Sequence, residues 1–269
     1  MVEPLYRRVA HDLRERISKG EWGPGIQLPS EPELEKRYGY LADRTGQDTR
    51  LSRNTVRLAL AALANEGLIE ARQGRGTFVR ERTSFTVLAS SEEGGSGERD
   101  LDAFVAAVTE SGRRPQQVDL RTEFRTASAE VAERLQIDEG DEVVVRGLKR
   151  LIDGKPWSIQ NSFYPGAIAQ GTLLMSPRNI EHGTIAELGR HGHVQVGYRD
   201  EVVCRMPRLE EAAFLGVGAG IPVLEMFRTA YSAEQPIRLT INVYAGDSTQ
   251  LAYEIGNVDA REGEGIPDA

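Results

Sequence analysis

The amino-acid sequence predicts an α+β fold in two parts: a helical N-terminal head ending in a short β-ribbon, and a larger C-terminal domain built on an antiparallel sheet. Three observations carry this expectation. From Tyr6 to Leu63 the apolar residues recur mostly at helical spacing. From Gln117 onward the period is mostly that of strands, with short helices between. Between the two lies Ser90-Ser91-Glu92-Glu93-Gly94-Gly95-Ser96-Gly97-Glu98, a polar stretch with nothing to bury, which reads as a linker. The expected parts are 1–80 (head), 81–99 (linker), 100–256 (sheet domain) and 257–269 (tail).

The elements follow in order. Pro4 suits a first helical turn, where its missing N–H costs nothing. Tyr6, Val9, Ala10, Leu13 and Ile17 continue that helix, with Gly20 as its stop. Ser30 and Glu33 form a capping box that opens a second helix with Leu34 and Tyr38 inward. Gly39 can end it, but Leu41 keeps the period, so an end near Thr45 and Gly46 is also open. Ser52 caps a third helix whose apolar stripe is Val56, Leu60 and Leu63, with Leu51 packing in before it and Gly67 after. Ile69–Arg72 and Thr77–Arg80 form a ribbon around Gly74 and Gly76. In the second part, 100–109 is a short amphipathic helix closed by Gly112, and Ala129–Leu135 is another. Asp153-Gly154 is a strong hairpin signal between strands Val143–Ile152 and Trp157–Tyr164. Helices Thr184–Gly189 and Leu209–Leu215 interrupt strands Val194–Met206, Pro222–Ser232 and Ile237–Ala245. The expected arrangement is a sheet covered by helices on one side.

Length, charge and cysteine usage narrow the function classes. The 269 residues suffice for one or two domains. No apolar run approaches the ~20 residues of a membrane span, and the N-terminus lacks a signal-peptide core. A cytoplasmic protein is therefore expected. The lone Cys204 cannot form an internal disulfide and reads as a buried, inert thiol. The net charge of −8 argues weakly against a nucleic-acid partner until its distribution is considered. Residues 1–80 carry 14 Lys and Arg against 11 Asp and Glu, whereas the remainder carries 19 against 30. A modestly cationic head on an acidic body suits a DNA-binding module joined to a domain with another partner.

The stretch from Arg50 to Gly76 carries the chemistry of that head. Arg50, Arg53 and Arg57 lie on or beside the first turns of the third helix, away from its apolar stripe. Ser52 and Thr55 can bond phosphate from a helix N-terminus, where the dipole favours anions. The major groove admits a helix, arginine can fork onto guanine, and Arg75 at the ribbon tip can reach phosphate or a groove. An exposed arginine can also be a solvated charge or the partner of a nearby glutamate.

The runs PLYRRVAHDLRERI, PGIQLPSEPELEKRYG, SRNTVRLALAALANEGLI and GRGTFV, in that order, resemble the winged helix-turn-helix of the GntR family of bacterial regulators. The resemblance implies DNA contacts at Ser52, Arg53, Thr55, Arg57 and Gly74, with Asn54, Arg75 and Arg50 as additional candidates. The sequence departs from the family pattern at YLADRTGQDTRL, about a dozen residues inserted into the turn before the third helix. A tolerated longer turn is the plain reading, and extra phosphate contacts from Arg44 and Arg50 the sharper one. Pro32 stands where some relatives carry a DNA-contacting basic residue. The remainder is similar to the UTRA effector-binding domain of the HutC subfamily, whose fold resembles chorismate lyase. Its markers are LQIDEGDEVVVRGLKRLIDGKPWSIQNSFYP, GTIAELGRHG and AAFLGVGAGIPVLEMFRTAYSAEQPIRLTINVYAGD.

For that domain the resemblance points to Arg150, Gln160, Thr184, Arg238 and Tyr244 as effector-contacting positions. Gln160 and Arg238 replace carboxylates usual in the family, so an effector carrying a carboxylate or phosphate is expected. Arg238 pointing outward from an edge strand is the competing reading. The resemblance also implies a homodimer on a pseudo-palindromic operator, with half-sites ~34 Å apart, released by a small molecule and acting as a repressor.

Other constellations point nowhere. His182, His191 and His193 lack a carboxylate or cysteine at convincing spacing and read as surface histidines, so no metal is expected. Gly216-Val217-Gly218-Ala219-Gly220 follows a helix and precedes a strand, the reverse of a dinucleotide loop. No nucleophile elbow, P-loop or carboxylate pair is present, so neither catalytic residues nor a cofactor are expected. A small-molecule enzyme of lyase-like fold fused to a DNA-binding head is the alternative.

Overall fold

A computed structural model of the chain describes residues 3–42, 48–80, 85–88, 103–218 and 220–254. Of the expected linker at 81–99 only 85–88 are among these residues, as a short strand; the tail at 257–269 and Arg44 lie outside them. The chain divides into two compact units. One comprises Met1–Thr83 with Met206–Pro222, the other Ser84–Arg205 with Val223–Ala269.

The first unit begins with α1 (Leu5–Ser18), whose Val9, Ala10 and Leu13 are buried. Helix α2 (Glu31–Tyr38) opens on the expected capping box, the Ser30 amide donating to Glu33 Oε2 at 2.8 Å. It ends at Gly39, which has φ +52°. Of the two ends left open by the sequence, the glycine wins, because its backbone leaves the helical region and Tyr40 enters a strand. The inserted stretch is a hairpin, β1 (Tyr40–Ala42) with β2 (Asp48–Arg50), in register Tyr40↔Arg50. Its base is closed by Leu51 N donating to the Gly39 carbonyl at 2.9 Å. The chain thus leaves and returns at nearly the same point.

Helix α3 (Arg53–Asn65) buries Val56, Ala59 and Leu63 against α1 and α2, with Leu51 and Leu34 in the same core. Leu60 is only partly buried, so Ala59 takes the stripe position expected of it. The ribbon is β3 (Ile69–Arg72) with β4 (Gly76–Val79). Gly25 N donates to Val79 O and Leu28 N to Thr77 O, while Val79 N donates back to Ile26 O, so the segment before α2 braces β4 of the ribbon.

The second unit is a six-stranded antiparallel sheet, in the order β6 (Pro115–Thr126), β7 (Glu142–Ile152), β8 (Lys155–Pro165), β11 (Pro236–Ala245), β10 (Val223–Tyr231) and β9 (Gly197–Arg205). The β7–β8 turn is Asp153-Gly154, both at positive φ, as a two-residue primed turn requires. Helix α5 (Ala129–Leu135) packs Val131, Ala132 and Leu135 on one face, against Val143, Val145, Phe227 and Leu239. The opposite face is covered too. At one end lie α6 (Gly166–Ala169), a 3-10 turn at Leu173–Met175 and α7 (Gly183–Arg190), which bury Ile168, Leu174 and Leu188 with Val144 and Tyr164. At the other lie α4 (Ala103–Glu110) and a parallel pair, β5 (Phe85–Leu88) with β12 (Thr249–Ala252). Phe104 stacks on Trp157 at 5.2 Å, and Phe85 meets it edge-on. Helices therefore lie on both faces, not one. Periodicity marks α4, α5 and α7 as helices but does not show which face of the sheet each covers, and β5, β12 and α6 are too short to show a period. Cys204 lies exposed on the edge strand β9 rather than buried.

The residues between β9 and β10, including α8 (Leu209–Leu215), cluster with the first unit. Gly220 has φ +86°, and a Cβ there would stand 2.4 Å from the Asn65 carbonyl oxygen at the end of α3. Gly220→Ala must therefore move backbone, and is expected to destabilise the chain by about 1–3 kcal/mol in urea unfolding. Gly218→Ala, with no atom nearer than 4.0 Å, should leave the midpoint nearly unchanged.

Candidate functional site

The candidate DNA interface is built on the first turn of α3. Ser52 has extended backbone and accepts a hydrogen bond from Thr55 N at 3.2 Å, and its Oγ lies 2.9 Å from Thr55 Oγ1. The helix is thereby capped, with its N-terminus at the surface. Because Val56, Ala59 and Leu63 fix the buried stripe, Arg53, Asn54 and Arg57 are turned to solvent. The Arg53 and Arg57 side chains are 54% and 61% exposed. Arg50 is exposed at the end of β2, one residue before the buried Leu51. Gly74 (φ +70°) and Arg75 are exposed at the ribbon tip, where Arg75 N donates to Arg72 O at 2.9 Å and Gln27 Nε2 to Arg75 O at 3.0 Å. All eight candidate positions are thus on the surface, in the same unit.

One feature beyond these candidates is Glu31, in the first turn of α2. Arg57 Nε donates to both of its carboxylate oxygens at 3.0 Å, and Arg53 Nε lies 3.6 Å from Oε2. Spacing in sequence does not show this contact, which depends on how α2 crosses α3.

In the sheet unit, register places Arg150, Ser158, Tyr244 and Leu224 in one row across β7, β8, β11 and β10. The next row on that face is Leu148, Gln160, Asn242 and Met226, and the next Arg146, Ser162, Thr240 and Arg228. Arg238 pairs with Ala230 one row further on. Four of the five effector candidates therefore share one face. Thr184 stands at the start of α7, whose Leu188 packs with Tyr164 at the Arg238 end of that face.

The candidates do not converge on a point. Arg238 and Tyr244 are six residues apart on one strand, ~20 Å at strand rise, so Arg150 and Arg238 occupy opposite ends of the face. Arg238 is buried and Nη2 donates to Gln195 Oε1 at 3.1 Å, so it does not point outward into solvent. Arg150 is buried with its guanidinium 4.7 Å above the Phe104 ring. The rows between are polar at their centre: Gln160 Nε2 donates to Ser162 Oγ, which lies 3.0 Å from Thr240 Oγ1. Ser158 Oγ and Asn242 Oδ1 are buried without a hydrogen bond.

Arg146 and Arg228 were not among the candidates. Arg228 is neutralised by a two-pronged bond to Asp200. Arg146 is different. Its guanidinium donates to Thr122 Oγ1 and to the carbonyls of Leu174, Ser176 and Arg178, neutral acceptors that leave its charge uncompensated. Burial lowers its pKa from the usual arginine value. The two-residue period from Arg150 through Leu148 to Arg146 marks Arg146 as sharing the face, a signal the sequence does contain.

His182 is half-buried and His191 is exposed as expected, yet both face one carboxylate. His182 Nε2 lies 2.7 Å and His191 Nε2 3.3 Å from the buried Glu187 carboxylate, which accepts from Leu173 N at 2.7 Å. Glu187 stands four residues before His191 on α7 and five after His182, so one carboxylate serves both imidazoles. Among the described residues no group of three or more ligands could hold a metal ion.

A capped helix presenting arginines, a braced ribbon beside it, and a separate sheet with a polar buried face define a winged helix-turn-helix regulator with an effector-binding domain. The profile of bacterial regulatory proteins of the gntR family matches residues 5–79, and that of the UTRA domain matches residues 110–250. An uncharacterized HTH-type transcriptional regulator of Streptomyces coelicolor is 30% identical over 93% of this chain and 92% of its own length. The histidine utilization repressor of Pseudomonas putida is 28% identical over 92% and 90%. A crystal structure of a GntR-family transcriptional regulator superposes with TM-score 0.64 at 28% identity, covering 94% and 98%. The chain belongs to the GntR family, in its UTRA-bearing branch, and is a DNA-binding transcriptional regulator. The enzyme alternative has no support among these relatives, which are named as regulators and repressors.

Burial disfavours the charge on Glu187, but the Leu173 amide and the two histidines outweigh it and hold the carboxyl below its ordinary value. A depressed carboxylate contributes stability that is present above its unfolded pKa of ~4.3 and lost as pH falls through the folded value. Glu187→Gln should therefore lower stability at neutral pH and flatten its decline below about pH 4.5, read by urea midpoints across pH.

Proposed function

We propose that this regulator is a cytoplasmic homodimeric repressor. Its two α3 helices read the half-sites of a pseudo-palindromic operator, and an anionic small molecule on the polar sheet face releases it. Ser52, Arg53, Asn54, Thr55 and Arg57 are the contacts of the reading helix, with Gly74 and Arg75 on the ribbon and Arg50 flanking. Arg150, Gln160, Thr184, Arg238 and Tyr244 frame the effector face. The observation that favours an anion is Arg146, a buried cation whose acceptors are all neutral, in the same row as Ser162 and Thr240. Guanidinium groups match carboxylate and phosphate in shape and charge, and a buried pairing is stronger than one in water. Repression is supported by the name of the Pseudomonas relative. No helix among the described residues is long and apolar enough to cross a membrane.

The effector acts by differential affinity: it binds better to the arrangement of heads that fits the operator worse. Thermal-shift screening of the intact chain against acidic, neutral and cationic metabolites tests the anionic assignment. Acidic compounds should raise the melting temperature and weaken operator binding, whereas stabilisation by neutral or cationic compounds alone would contradict it. Arg53→Ala should cost about 1–3 kcal/mol of operator affinity at fixed salt. Light scattering should return the mass of two chains.

A further inference from the structure

We propose that Glu31 is a positioning residue for DNA reading: its carboxylate holds the guanidinium groups of Arg53 and Arg57 in the posture that discriminates base sequence. The proposal rests on α3 being the DNA reader. Helix α2 begins with two acids, and they have separate tasks. Glu33 is used locally, taking the Ser30 amide at 2.8 Å and the Ser30 hydroxyl at 2.6 Å. Glu31 instead reaches across to α3, 3.0 Å from Arg57 Nε through both oxygens and 3.6 Å from Arg53 Nε.

Three physical consequences follow. Arg53 and Arg57 stand four residues apart on one helical face, a like-charge pair that repels, and Glu31 between them offsets that repulsion. The contact engages Nε, which leaves the Nη1–Nη2 edge, the one that matches guanine O6 and N7, for a base. A long exposed side chain loses rotamer freedom when it docks, and one already held loses less. An exposed pair of this kind adds little to folding stability. Its effect falls on discrimination: a negative charge at the DNA-facing surface weakens attraction to every phosphate backbone alike, while the correct base set recovers that loss through pre-aimed arginines.

The test uses the full-length chain, a duplex selected by the wild-type protein from a random pool, and a scrambled duplex of equal length. Affinities for both are measured over a range of salt. Glu31→Gln should tighten binding to the scrambled duplex and reduce the ratio of selected to scrambled affinity about tenfold. Glu31→Asp, which keeps the charge on a shorter stem, should recover part of the ratio. Glu35→Gln removes the same charge from α2 at a residue that holds no arginine among the described contacts, and should leave the ratio unchanged. Equal effects of Glu31→Gln and Glu35→Gln, or a ratio unmoved by Glu31→Gln while Arg53→Ala abolishes it, would overturn the positioning role alone. A ratio unmoved by Arg53→Ala would overturn both this proposal and the reading of α3 on which it rests. Circular dichroism and melting of each variant establish that it is folded, and a loss of stability without a change in ratio counts against the proposal.

Discussion

The head depends on one buried stripe. Val56, Ala59 and Leu63 of α3 close against Val9, Leu13 and Leu34, and Leu51 seals the entry to the helix. Burying a leucine-sized side chain is worth about 1.5–3 kcal/mol, so this stripe fixes the rotation of α3 far more firmly than any surface ion pair can. Everything functional about the helix follows from that rotation. With one side committed to the core, Arg53 and Arg57 have only the opposite side to occupy, and Ser52 is left to cap the exposed end. The hairpin inserted at 40–50 does not disturb this arrangement. Its two strands pair, and its base closes between Gly39 and Leu51, so the core retains its short connection.

The sheet unit solves the opposite problem. Its α5 face is apolar and ordinary, whereas the other face carries four buried arginines, with apolar clusters at both ends and hydroxyl and amide groups between. Buried cations are costly unless paired, and Arg228 meets that requirement through Asp200. Arg146 meets it only in part, with carbonyls and a hydroxyl. A face that retains positive charge in a low-dielectric setting is poor as pure scaffold and well suited to an anionic ligand.

The sequence made the helices legible where caps and periods coincide. Ser30 with Glu33, Ser52 before Val56, and Asp153-Gly154 each named a boundary through local chemistry, and the structure places elements there. What escaped was short or non-local. Strands β5 and β12 have four residues each and pair across more than 160 positions, which no periodic signal can register. Glu31 with Arg57, and Glu187 with His182 and His191, arise from helix crossings and turns of one helix, so their parts were visible but not their meeting. Arg150 and Arg238 show the converse: register places both on one face but at its opposite ends, a separation that their positions in the sequence do not reveal.

We propose that α3 reads bases in the major groove through Arg53 and Arg57. Dimethyl sulfate footprinting of guanine N7 on the selected operator addresses it most directly, because that atom lies in the major groove where an arginine fork would cover it. The expected result is protection of guanines in each half-site by the wild-type chain, lost with Arg53→Ala while phosphate contacts persist. Guanines that remain fully reactive under a saturated operator would contradict it, since binding would then run through backbone contacts and the ribbon alone.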